Sequence, residues 1–108
     1  MKLIIGGAYQ GKKKYAMENY HGQPLLEEFH LMVLELVKSG IDPVEYVKGH
    51  LDEYRDMVIL CDDISCGVVP VDPIERKWRE ELGRALGIIT QNSDEVLRVF
   101  CGLGTKLK

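Results

Sequence analysis

The stretch that decides the fold is Gly6-Gly7-Ala8-Tyr9-Gln10-Gly11-Lys12-Lys13-Lys14. It follows a short apolar run, Leu3-Ile4-Ile5, and precedes a segment that can be helical, which is the strand, glycine turn and helix of a phosphate-binding loop. Gly6, Gly11 and Lys12 fit the first seven positions of G-x-x-x-x-G-K-[ST]. Gly6 permits a sharp turn without a Cβ penalty. Gly11 lets backbone N–H groups close on phosphate oxygens at a helix N-terminus, where the helix dipole favours an anion. Lys12 is placed to reach the β and γ phosphates. The eighth position departs from the pattern: Lys13 stands where a hydroxyl would ligate Mg²⁺. An ammonium group carries three donors and no acceptor, so it can supply charge there but not coordination. The plainer alternative is a glycine-rich turn opening a helix with a basic, solvated first turn.

Length and composition narrow the function classes. The chain has 108 residues, enough for a single small domain over 1–108. Its 14 basic against 17 acidic side chains give a net charge of −3, which argues against a general nucleic-acid binder. No apolar run is long enough to span a membrane, and the N-terminus lacks a signal-peptide pattern, so a cytoplasmic protein is expected. The cysteines Cys61, Cys66 and Cys101 form no C-x-x-C pair, which suits a reducing compartment.

Beyond the loop, Lys12 to Tyr20 is expected to be helical, with Ala16, Met17 and Tyr20 on one stripe. Leu25 to Lys38 is expected to be a second, mostly buried helix, with Leu26, Phe29, Met32, Val33, Leu36 and Val37 at helical spacing and Gly40 as its C-terminal cap. Asp42-Pro43-Val44-Glu45 is a helix start, with Asp as N-cap and Pro in the first turn. Met57 to Cys61 is a continuous apolar run that fits a buried parallel strand, and it ends in Asp62-Asp63. A carboxylate pair at that end of a strand suits Mg²⁺ binding or orientation of an attacking hydroxyl, and the bland alternative is a pair of loop aspartates. Asp72-Pro73-Ile74-Glu75 repeats the cap and opens a long helix striped by Ile74, Trp78, Leu82, Leu86 and Ile89. Glu95 to Cys101 follows as a strand, Gly102 turns, and Leu103 to Lys108 adds an edge. The expected order is β-α-α-α-β-α-β-β, a small parallel sheet covered by helices.

The run from Cys61-Asp62-Asp63 through Gly67-Val68-Val69-Pro70 to Ile74-Glu75-Arg76-Lys77-Trp78-Arg79-Glu80, then Gly83-Arg84 and the ending Val99 to Gly102 with Leu107-Lys108, resembles the bifunctional adenosylcobinamide kinase and adenosylcobinamide-phosphate guanylyltransferase family. The resemblance covers residues 1 to about 14 and 57 to 108. It implies an α/β, P-loop NTPase-like (RecA-like) three-layer sandwich, a mostly parallel sheet with helices on both faces. It also implies phosphorylation of the adenosylcobinamide hydroxyl from GTP or ATP, then transfer of GMP through a histidine, in a homo-oligomer. On this resemblance Gly6, Gly7, Gly11, Lys12 and Lys13 meet the nucleotide, Lys12 and Asp63 are catalytic, and Asp62 and Asp63 are the candidate Mg²⁺ ligands. Gly67 and Pro70 would shape the loop after Asp63, Arg76 and Arg79 would be the basic pair of the following helix, and Arg84 belongs to the second G-R element. Asp62 and Asp63 replace the family's Asn and Glu, and Leu86-Gly87 replaces its Asn-Gln. The family's H-R-x-x-R-P-like guanylylation segment has no counterpart here. His30 is nearest in order to that site and is the candidate carrier, although Leu31, Met32 and Val33 after it favour a core histidine. The alternatives are a non-catalytic nucleotide- or phosphate-binding module, and a small kinase for another acceptor.

Overall fold

β1 (Lys2–Gly6) lies at the centre of the sheet, between two parallel partners that its short apolar sequence is suited to meet on both sides. The computed structural model describes residues 1–64 and 71–108, so Cys66, Gly67 and Pro70 lie outside the described residues. After β1 come α1 (Lys12–Asn19), β2 (Leu25–Leu26), α2 (Phe29–Lys38), α3 (Pro43–Tyr54), β3 (Val58–Asp62), α4 (Pro73–Asn92), β4 (Glu95–Phe100) and β5 (Leu103–Lys106). The strand order is β2-β3-β1-β4-β5, parallel except for β5.

Alternation along the central strands divides the core between the two faces of the sheet. Leu3, Ile59, Cys61 and Val96 pack under Phe29 and Val33 of α2, Val47 of α3 and Leu82, Ala85 and Ile89 of α4. Ile4, Val58, Leu60, Leu97 and Val99 turn the other way, against Ala16 of α1. Helices therefore cover both faces of a mostly parallel sheet, the P-loop NTPase-like sandwich expected.

The helix starts follow the side-chain chemistry. Asp42 Oδ1 accepts from the backbone N–H of Val44 at 3.0 Å, and Asp72 Oδ1 accepts from Ile74 N–H at 2.8 Å. Gly40, at φ +74°, closes α2 with Ile41 N–H donating to Leu36 C=O at 2.9 Å. Cys101 and Gly102 both take positive φ between the paired residues Phe100 and Leu103, the two-residue turn whose twist matches a hairpin.

Two expectations need correction. Leu25 and Leu26 are not the first turn of α2 but a short strand, paired in parallel with Val58 and Ile59. Apolar periodicity cannot separate two strand residues from a helix that follows them; the open edge of β3 decides, through Val58 N–H donating to Pro24 C=O at 2.9 Å. The order is thus β-α-β-α-α-β-α-β-β. α2 is mostly buried, as expected, although Leu31 is exposed. Met17 of α1 and Ile74 of α4, expected on core stripes, are exposed.

Gly6 is set by its neighbour strand. A Cβ on Gly6 would lie 2.4 Å from the carbonyl oxygen of Val99. Gly6→Ala should force β1 from β4 at a cost of about 1–3 kcal/mol, the usual scale for overpacking a tight core. A urea midpoint equal to that of the parent chain would contradict this.

Candidate functional site

The carboxyl ends of β1 and β3 and the first turn of α1 meet at the phosphate-loop sequence. Gly11 is the residue before the helix, at φ +87°, a conformation that L side chains rarely adopt. Tyr9 takes φ +60° although it has a Cβ, with its ring fully in solvent. Gln10, between them, is tied to the β4–β5 turn: its Oε1 accepts from Cys101 N–H at 2.7 Å, and its C=O accepts from Gly102 N–H at 2.8 Å. The hairpin thus braces the loop from behind. On the open side is a cavity of about 230 Å³, lined by the loop from Tyr9 to Lys14 and by Glu27, Glu28 and Asp62.

Lys12 is nearly buried, so its charge needs partners. Its Nζ lies 2.6 Å from Asp62 Oδ1 and donates to the carbonyls of Gly7 at 2.7 Å and Gly6 at 3.3 Å. Three contacts match the three donors of an ammonium group, so a phosphate oxygen reaches Lys12 only in exchange for one of them. Lys13 points outward, with Glu27 Oε1 3.4 Å from its Nζ, a partly exposed pair worth little by itself.

The adjacent aspartates diverge, as neighbours on a strand must. Asp62 serves Lys12, and its Oδ2 is 3.5 Å from His30 Nε2. The Asp63 N–H prolongs the β1–β3 ladder by donating to Gly6 C=O at 2.8 Å, while its carboxylate accepts from Arg98 at 3.0 Å. Among the described residues no group of three or more His, Cys, Asp and Glu side chains converges on a metal position.

His30 is buried, and its Nδ1 accepts the backbone N–H of Asp62 at 3.1 Å. That acceptor role leaves the proton on Nε2, toward the carboxylate. Trp78 Nε1–H donates to the His30 carbonyl at 2.7 Å, and the rings are offset with centroids 6.5 Å apart, so α4 holds α2 against the end of β3. His21 is exposed in a turn, and His50 stacks between Tyr46 and Tyr54 on α3.

The arginines of α4 separate. Arg76 and Arg84 are exposed, and Arg84 pairs with Glu80 and Glu81 along the helix. Arg79 turns inward, and with Asp63 and Arg98 it lines a second cavity, of about 350 Å³, on the α4 side of the sheet. Arg98 was not singled out from the sequence. Its signal was available, as a charge interrupting the apolar run Val96-Leu97-Arg98-Val99 near the carboxyl end of a strand.

Burial holds His30 below its ordinary value of 6.5, and Lys12 pushes the same way against the pull of Asp62 and Glu28. The unfolded chain therefore takes up this proton first as pH falls. The stability that comes from a neutral His30 is fully present above about 6.5, declines as pH drops through the lower folded value, and then levels. Urea midpoints between pH 7.5 and 5 should fall further in the parent chain than in His30→Asn; parallel curves would contradict this.

Comparison with protein families finds a match to cobinamide kinase / cobinamide phosphate guanyltransferase over residues 37–107, about two thirds of the chain. The matched span holds α3, β3, α4 and the C-terminal hairpin, with Asp62, Asp63, Arg79 and Arg98; the phosphate loop and His30 precede it. No curated protein matches the chain. By sequence match and by fold together, the chain belongs to the cobinamide kinase / cobinamide phosphate guanyltransferase family.

Proposed function

We propose that the chain, acting as one nucleotide-binding domain, binds GTP or ATP at the loop Gly6 to Lys13 and phosphorylates the hydroxyl of adenosylcobinamide. The observation that carries this reading is Lys12, an almost buried ammonium at the N-terminus of α1, held against Asp62 beside an open cavity. A triphosphate takes the cavity, with the N-terminus of α1 and the lysines Lys12 and Lys13 meeting its charge. The acceptor oxygen bonds to the γ-phosphorus as the bridging bond to the β-phosphate breaks, and the hydroxyl proton passes to the carboxylate of Asp63.

The residues around Lys13 do not fit the Mg²⁺ of a P-loop. The position offers an ammonium in place of a hydroxyl, and Asp62 is engaged by Lys12. No step is routed through a metal here, and Lys13 contributes charge alone. His30 is assigned to orienting Asp62 rather than to carrying GMP, since Nδ1 accepts from Asp62 N–H and the ring is buried. Among the described residues no helix is long and apolar enough to cross a membrane, and the free thiols of Cys61 and Cys101 suit a reducing compartment. On the family resemblance we propose a cytoplasmic homo-oligomer. Lys13 favours one other reading, a nucleotide-binding module without turnover.

The test is titration of the purified chain with GTP and with ATP, each with and without Mg²⁺. Saturable binding should weaken about 10- to 100-fold in Lys12→Ala, the loss of one or two hydrogen bonds from a charged donor. Lys13→Ser should make binding more dependent on Mg²⁺. Failure of both nucleotides to bind would remove the assignment, and binding without phosphoryl transfer to cobinamide would favour the module.

A further inference from the structure

The outer edge of β5 is open. β5 pairs with β4 alone at the end of the sheet, and Leu103, Gly104, Thr105, Lys106 and Leu107 are all exposed. Along an antiparallel edge strand the backbone groups turn alternately to the neighbour and to solvent. Leu107 N–H donates inward, to Val96 C=O at 2.7 Å, so the N–H and C=O of Gly104 and Lys106 point outward. Side chains alternate as well. Thr105 lies opposite Arg98 and Leu103 opposite Phe100, on the face that α4 covers further in, and Leu107 lines the cavity there. Gly104 and Lys106 address the face of α1, where the Tyr15 ring fills the place of the side chain that Gly104 lacks. Phe100, Leu103 and Leu107 are large apolar side chains left in water together, on or beside this one hairpin.

We infer that this edge joins a second copy of the chain, β5 against β5 and antiparallel, about a two-fold axis at Thr105. It rests on the homo-oligomer proposed above, names its face and symmetry, and is independent of what the phosphate loop binds. Register decides in favour of self-pairing. Outward groups must meet outward groups, so Gly104 and Lys106 of one copy face only Gly104 or Lys106 of the other. Lys106 against Lys106 sets like charges opposite each other, and Gly104 against Gly104 sets Leu103 opposite Thr105, apolar against polar. Gly104 against Lys106 avoids both. It places Thr105 opposite Thr105 and Leu103 opposite Leu107, because Leu-Gly-Thr-Lys-Leu complements its own reverse. A lysine on a free edge discourages pairing, but in this register it lies opposite a glycine. It also comes beside the Tyr15 ring that covers that glycine, in reach of a cation–π contact. The contact is isologous and closed, so it stops at two copies and joins two five-stranded sheets into one.

Two substitutions and one crosslink test it. Lys106→Pro removes an outward N–H and spares the bonds to β4, a place on an edge strand that proline tolerates. Thr105→Glu faces Arg98 within the chain, which favours the hairpin, and faces its own copy across the axis, which opposes the contact. The full chain is sedimented at concentrations up to about 1 mM, where a contact with a dissociation constant of that size is half formed. The parent should pass from 12.3 kDa to twice that mass as concentration rises. Each substitution should raise the dissociation constant about tenfold or more while the melting temperature is kept. The two Thr105 residues would form a non-hydrogen-bonded pair with Cα atoms about 4.5 Å apart, within disulfide range. In a Cys101→Ser background, mild oxidation of Thr105→Cys should therefore link position 105 to position 105, read by mass spectrometry of the joined peptides. Leu103→Cys, which faces Leu107, should not link to itself. A parent chain that stays at 12.3 kDa throughout would overturn the inference and the oligomer with it. An oligomer that survives both substitutions, or that gives no link at position 105, would overturn the inference and leave the oligomer standing on another face. If either substitution unfolds the chain, the crosslink decides alone, since it adds neither a proline nor a charge.

Discussion

The Lys12 ammonium and the Asp62 carboxylate, 2.6 Å apart, are the contact on which the rest of the site depends. A charge as enclosed as that of Lys12 is tolerable only with a counter-charge and hydrogen-bond acceptors in place. The Gly6 and Gly7 carbonyls provide the acceptors because the chain turns back there, and Asp62 provides the charge because β3 lies beside β1 in register, Gly6 opposite Asp62. Shift that register by one residue and Asp63 would face the loop while Asp62 faced α4.

From that pair the constraints pass outward. Asp62 is held by His30, His30 by the start of α2, and the His30 carbonyl by Trp78 of α4. On the other flank the loop is held by Gln10 against the β4–β5 turn, and Gly104 of β5 leaves the space that the Tyr15 ring of α1 occupies, a Cβ there lying 2.5 Å from it. Among the described residues, the three non-glycine residues with positive φ sit in this region: Tyr9 in the loop, Glu28 beside the cavity at the start of α2, and Cys101 at the turn that binds Gln10. Left-handed backbone costs such residues free energy, and it persists where the surrounding contacts over-determine it. Here the loop, α2 and the hairpin impose those contacts on one another.

Two acidic residues side by side suggested a shared metal site, and the pleat gives them different neighbours instead. Asp62 belongs to the cation of the loop and Asp63 to Arg98 and the α4 side. Alternate residues of a single strand address opposite faces, so two adjacent carboxylates can hold two different cations.

Local chemistry was legible in the sequence. The glycine turn after Leu3-Ile4-Ile5, the two Asp-Pro caps, the apolar run ending at Asp62 and the hairpin at Gly102 each follow from residues within a few positions of one another, where torsional preference and hydrogen-bond inventory decide. Those cues were enough for the fold class and for the strand, glycine turn and helix at Gly6 to Lys14. Contacts between distant segments were not legible. Leu25 and Leu26 became a strand because β3 had an open edge, and Arg98 found Asp63 because β1 separates β4 from β3 by one strand. Side-chain pairing across a sheet depends on strand order and register, which long-range packing selects, and no local pattern encodes either one.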